Sequence, residues 1–141
     1  MASKHLTLRM PSESLERLER ESERTGLSRS ELARTLIEEG LRMARHPGIV
    51  FRDGAVGRRP ALAEGPQVWT LVSVWGDFDG TEEERVEETA TYLRLSPYQV
   101  REGLRYYAEF KDEIDAWIER NRREAAEAYA EWQHQQAVLS A

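Results

Sequence analysis

His5, Thr7 and Arg9 alternate along the chain with Leu6, Leu8 and Met10. In an extended strand that alternation sends the three polar side chains to one face and the three apolar ones to the other. Arg9 brings a planar fork that can bind guanine O6 and N7 together. Thr7 brings a hydroxyl and a methyl, and His5 a ring that donates or accepts. These groups read base edges in a major groove, and a two-stranded ribbon fits that groove. The same alternation equally describes an edge strand with one solvated face. A second group, Ser28-Arg29-Ser30, stands where a helix opens, so hydroxyls, a guanidinium and free backbone N–H groups can together hold a phosphate. A third group comes late in the chain. Trp117, Tyr129 and Trp132 with Arg120 are the residue types that anchor protein–protein contacts.

Chemistry of other kinds finds little material. His5, His46 and His134 fall on three separate elements, with no pair at metal-ligand spacing. There are no cysteines, which excludes disulfides, thiolate metal sites and Cys nucleophiles. There is no Gly-rich phosphate loop, and Asp77-Phe78-Asp79-Gly80 is only the beginning of a calcium loop. No catalytic, cofactor-binding or metal-binding residue is expected, and the reading is of a binding protein, not an enzyme.

The elements that position these groups follow from local signals. Pro11 ends the strand at 4–10, because it cannot donate to a ladder. Ser12 is the expected N-cap of a first helix that carries Leu15 and Leu18 and stops at Gly26. Ser28 and Glu31 make a capping box for a second helix, with Leu32, Leu36, Ile37, Leu41 and Ala44 at helical spacing, ended by His46-Pro47-Gly48. Strand, helix, turn and helix within about 45 residues bury too little apolar surface to stand alone. A homodimer that pairs the two strands as an antiparallel ribbon over a four-helix core resolves this. Residues 49–62 then suggest a hairpin around Asp53-Gly54 with a loop of more than two residues. Three short helices follow: one with Val68, Trp69, Leu71, Val72 and Trp75, one capped by Thr81 with Val86, Ala90, Tyr92 and Leu93, and one opened by Ser96-Pro97 with Val100, Leu104, Tyr107 and Ala108 inward. A small domain with a Trp-rich core is expected. From Asp112 to about Ala137 a last helix, without Gly or Pro, is long enough that part of its Trp/Tyr stripe must cover something beyond its own domain.

The expected fold class is therefore mostly α: an N-terminal dimeric β-α-α unit over 1–46, a hairpin plus three-helix, helix-turn-helix-like domain over 47–110, and an amphipathic partner-binding helix over 111–141. The chain has 141 residues and a net charge of −6. Residues 1–46 carry nine basic and eight acidic side chains, whereas 47–141 carry eleven and eighteen. A near-neutral head can meet phosphates through a local cluster, while an acidic remainder suits a basic protein partner. The longest uncharged run, Gly65 to Gly76, has twelve residues, short of the ~20 that span a bilayer. No membrane contact and a cytoplasmic location are expected.

Residues 4–46 resemble the ribbon-helix-helix family (CopG/Arc type) of DNA-binding repressors. The resemblance rests on Leu6-Thr7-Leu8-Arg9-Met10-Pro11, the Thr25-Gly26-Leu27-Ser28-Arg29-Ser30-Glu31-Leu32 turn and the Leu36-Ile37-Glu38-Glu39-Gly40-Leu41 run. It implies that His5, Thr7 and Arg9 read bases of double-stranded operator DNA and that Ser28, Arg29 and Ser30 anchor phosphates. The acid-rich first helix departs from that pattern, so its carboxylates must face away from the duplex. The second half resembles the domain-of-unknown-function 433 family, found in antitoxins. That resemblance is carried by His46-Pro47-Gly48-Ile49, Arg58-Arg59-Pro60-Ala61-Leu62, Val68-Trp69-Thr70-Leu71-Val72 and the run from Leu95 to Tyr107. It implies a PIN-like ribonuclease toxin as partner, with the chain acting as antitoxin and autorepressor. The alternative is a stand-alone repressor whose second domain senses a small ligand in a Trp-lined core.

Overall fold

The computed structural model describes residues 2–55 and 57–141, in two compact units, Met1–Ala44 and Arg45–Ala141.

In the first unit, residues 2–11 have no regular secondary structure and are exposed throughout. A strand needs a ladder, and one copy of the chain offers none. Helix α1 (Ser12–Thr25) starts one position earlier than expected. Pro11, at φ −54° and ψ 143°, is its N-cap, and the Pro11 carbonyl takes the first helical bond from Leu15 N–H at 3.1 Å. Ser12 is thus the first helical residue and makes no cap bond. Leu15 and Leu18 are half-buried, and no residue of α1 is fully covered. Gly26 closes the helix in the left-handed region at φ 76°, where its N–H donates to the Ser22 carbonyl. Helix α2 (Arg29–Arg45) opens on the expected box: Glu31 N–H donates to Ser28 Oγ, and Ser28 N–H donates to the Glu31 carboxylate, both at 3.1 Å. Of the apolar run on α2 only Leu32 is buried. Leu36, Ile37 and Leu41 remain exposed, as do Leu6, Leu8 and Met10.

The second unit begins with β1 (Ile49–Gly54) and β2 (Gly57–Leu62), an antiparallel pair with Ile49 opposite Leu62 and Gly54 opposite Gly57. Asp53-Gly54 therefore lies in the ladder rather than at the turn. Two residues, 55 and 56, join the strands instead of a longer loop, and residue 56 lies outside the described residues. Gly57, at φ 104°, takes the conformation that lets the ladder run to its tip. Four helices follow: α3 (Val68–Asp77), α4 (Glu82–Leu93), α5 (Pro97–Glu109) and α6 (Lys111–Leu139). Thr81 with Glu84, and Ser96 with Gln99, form complete capping boxes at α4 and α5, and Pro97 takes the first turn of α5.

The core of this unit is aliphatic around one tyrosine. Ile49, Leu62, Val68, Leu71, Val86, Val100, Tyr106 and Ile114 are almost wholly covered. Trp69, Trp75 and Trp117 sit on its rim, which corrects the expected Trp-rich core. Each rim ring keeps its apolar body inward and meets a polar or charged group at its edge or face. Trp69 Nε1 donates to Gln67, the Arg85 guanidinium lies 3.6 Å from the Trp75 ring centre, and Arg59 lies 4.8 Å from that of Trp117. On α5 the inward residues are Val100, Gly103 and Tyr106, while Ala108 is exposed and Leu104 and Tyr107 are half-buried. Gly103 belongs to this face because α3 passes so close that a Cβ there would stand 2.9 Å from Leu71 Cδ1. On α4, Tyr92 points outward at 69 % exposure, and Thr89 joins Val86 and Ala90 inside. Helix α6 starts in this core, with Ile114 and Ile118 covered, and every residue after Ile118 is exposed.

Candidate nucleic-acid interface and partner face

The residues proposed to read bases lie on the exposed segment before α1. His5, Thr7 and Arg9 have no side-chain partner among the described residues, so their donors and acceptors stay available. The apolar set between them, at 74 % for Leu6 and 56 % for Leu8, is equally uncovered. Water is a poor environment for those side chains. A second such segment laid antiparallel would pair with it edge to edge and turn both apolar sets to one side, where the helices of the two copies can cover them.

The group expected to hold phosphate, Ser28, Arg29 and Ser30, is built differently. Ser28 Oγ accepts the Glu31 N–H, which leaves its own hydroxyl proton free to donate outward. Arg29 Nη1 pairs with Glu19 Oε1 at 3.2 Å, with both side chains at least half exposed. Such a surface pair is worth about 0–1 kcal/mol. A guanidinium held so weakly beside the head of a helix remains available to an anion, toward which the helix dipole also acts. Ser30, exposed on the first turn, completes the group. The turn before it is held rigid: Thr25 Oγ1 donates to the Glu21 carbonyl, Leu27 N–H to Thr25 Oγ1, and Ser22 Oγ to the Leu27 carbonyl. The head of α2 is thereby fixed relative to α1.

Residues 4–42 match the family model described as ribbon-helix-helix protein, copG family. That match supports a ribbon-helix-helix N-terminus, and with it a DNA-binding regulator that works as a dimer. The ribbon-helix-helix segment ends inside α2, three residues before the helix does. No curated protein and no solved structure matches the chain. No helix among the described residues is long and apolar enough to cross a membrane.

The four residues assigned to a protein partner are divided by the structure. Trp117 is half-buried and packed against the core, with Arg59 against its ring. Arg120, Tyr129 and Trp132 are exposed, and the Tyr129 and Trp132 rings stack at 5.8 Å between centres. The distal helix thus presents an aromatic pair, one turn apart, on a stretch whose residues are all exposed.

Sequence reasoning passed over two polar clusters in the second unit. At the α5–α6 corner, Tyr107 Oη donates to Asp115 Oδ1 at 2.7 Å and Lys111 Nζ to Asp115 Oδ2 at 2.5 Å. The Lys111 and Tyr107 hydrogen bonds hold the Asp115 carboxyl below its ordinary range. Burial, with the Asp115 bond, pushes the Tyr107 phenol up. The i, i+4 spacing of Lys111 and Asp115 was a readable signal, but the tyrosine reaches them only through the turn at Phe110. The second cluster contains His46, which is buried, contacts Glu109 Oε2 through Nε2 at 2.6 Å and lies edge-on to Tyr106. Its link to Glu109 spans sixty-three positions, so local patterning carries no trace of it.

Proposed function

We propose that the chain is the antitoxin of a toxin–antitoxin pair, which represses its own operon by binding operator DNA as a dimer and neutralises a PIN-like ribonuclease through its C-terminal half. The observation that carries the DNA-binding part is the segment before α1. There a base-reading set (His5, Thr7, Arg9) and an apolar set (Leu6, Leu8, Met10) alternate, both uncovered, directly ahead of a helix pair. Pairing with the same segment of a second copy buries one set and presents the other as a ribbon to the major groove. Ser28, Arg29 and Ser30 then hold phosphates that fix the register, which positions the ribbon without reading sequence.

The partner part rests on distal α6. Residues 119–139 are exposed, and the helix carries Tyr129 and Trp132 as anchors for a groove, with Arg120 and Trp117 nearer the core. The acidic balance of residues 47–141 disfavours DNA as the ligand of this half. A sensor of the expected kind would keep its tryptophans around an enclosed site, and here Trp69, Trp75 and Trp117 lie on the rim and Trp132 on distal α6.

The test is removal of residues 126–141, all of them beyond the last core residue, Ile118. The truncated chain is expected to fold and bind DNA as before, to lose co-purification of its nuclease from the native host, and to lose rescue of growth when the nuclease is expressed. Equal rescue by both forms would remove the partner role from this helix.

A further inference from the structure

Arg59 is the one arginine of the chain that lies buried, at 6 % exposure, and it stands in β2 opposite Arg52. Its guanidinium rests 4.8 Å from the centre of the Trp117 ring. Among the described residues no carboxylate comes within ion-pair distance of it and no acceptor takes its side-chain donors. Arg52, across the ladder, offers no relief. It is itself a cation, and its donors are spent on the Leu62, Ala63 and Gly65 carbonyls at 2.6–2.9 Å. Arg120 follows Trp117 by one turn of α6, and its charge acts on Arg59. Burial first, and Arg120 second, lower the Arg59 pKa, while Glu124 one turn further pulls the other way.

A covered cation beside a second cation, without a counter-ion, is an unfavourable arrangement that the Trp117 face offsets only in part. The fully buried side-chain nitrogens without partners are His46 Nδ1 and Trp75 Nε1, so the Arg59 donors keep a path to solvent. Planar guanidinium forks with open donors match phosphate and carboxylate oxygens in geometry as well as charge.

We propose that Arg59 and Arg120, on the Trp117 face of the second unit, form a receptor for a small soluble oxyanion. A compact anion fits better than a nucleic acid backbone, because residues 47–141 carry eighteen acidic against eleven basic side chains and repel an extended polyanion. Glu124 is the internal competitor: near enough to act on Arg59, not near enough to pair with it. The proposal does not rest on the ribonuclease partner, although Arg120 and Trp117 are shared with the face assigned to it.

Calorimetric titration of the full chain in low-salt buffer with inorganic phosphate, and separately with citrate, tests it and distinguishes phosphate from carboxylate ligands. Binding of at least one is expected, weakened at least about tenfold in Arg59→Gln and in Arg120→Gln. Because an anion can also reach the head of α2, every titration is made in an Arg29→Gln background, so that the binding read belongs to the Arg59–Arg120 site. Glu124→Gln is expected to tighten it several-fold, an effect that loss of packing would not produce. Arg120 is exposed, so its variant keeps the test valid if Arg59→Gln fails to fold. Absence of binding by both anions, or binding that survives Arg120→Gln at full strength, overturns the proposal.

Discussion

Arg29 of the free chain holds Glu19, and a phosphate arriving at the head of α2 has to take it away. Two outcomes follow at the scale of single residues. Arg29→Ala is expected to weaken DNA binding evenly across sequences and to reduce the slope of log affinity against log salt by about one, as loss of one phosphate contact does. Glu19→Gln is expected to strengthen binding slightly, because it frees the guanidinium; salt titrations by fluorescence anisotropy read both. The residues proposed to read bases were singled out by alternation alone, since in a strand Leu6, Leu8 and Met10 would leave His5, Thr7 and Arg9 the other face. Arg59 was not legible in that way. Its strand contains Pro60 and two arginines in a row, and what singles it out is a ring from a helix more than fifty positions later.

At the scale of elements, the caps and breakers carried most of the readable information. Thr81-x-x-Glu84, Ser28-x-x-Glu31, Ser96-Pro97 and Gly26 each sit where the chain changes direction. The facing of α5 was legible in part: Val100 is buried and Leu104 and Tyr107 pack against the core, but Ala108 is exposed and the closest approach runs through Gly103, which a pattern traced through apolar side chains passes over. Gly103→Ala tests that reading. The added methyl meets the buried Leu71, and overpacking of about 1–3 kcal/mol exceeds the gain of up to about 1 kcal/mol in helix propensity, so a net loss is expected in urea unfolding. The hairpin stands over 49–62 as expected, but its loop was read as too long: Asp-Gly marks turns in general, and here two glycines face each other and carry the ladder past it. The α5–α6 corner has a pH signature. The Asp115 carboxyl is held low, so its contribution to stability is complete above the ordinary Asp value and is lost as pH falls through the depressed one. Asp115→Asn is expected to flatten the acid limb of the stability–pH curve and to leave its neutral region with a lower plateau, as thermal unfolding between pH 2 and 7 would register.

At the scale of the whole molecule, the ribbon-helix-helix segment is incomplete in one copy. Leu6, Leu8, Met10, Leu36, Ile37 and Leu41 are all exposed, more apolar surface than a unit of this size leaves to water. Thermal stability of this unit is therefore expected to rise with protein concentration, as it does where folding and association are one event. Sequence patterning conveyed the need for a second copy, because a lone seven-residue strand and two short helices make no core. It also conveyed that the last helix outruns its own unit, though not where: the apolar spacing runs unbroken past Ile118, the last covered residue, into the exposed Tyr129 and Trp132.

The central claim is that the chain reads DNA through a ribbon made by two N-terminal segments. The most direct measurement is binding of the full chain and of Arg9→Ala to the DNA upstream of its own coding sequence, at fixed salt, by gel shift. The account predicts a dimer on a palindromic site and a loss of about 1–3 kcal/mol in the variant, roughly five- to 150-fold, with discrimination relaxed at one base pair of each half-site. Equal affinity of the two forms, or binding as a monomer, would contradict it.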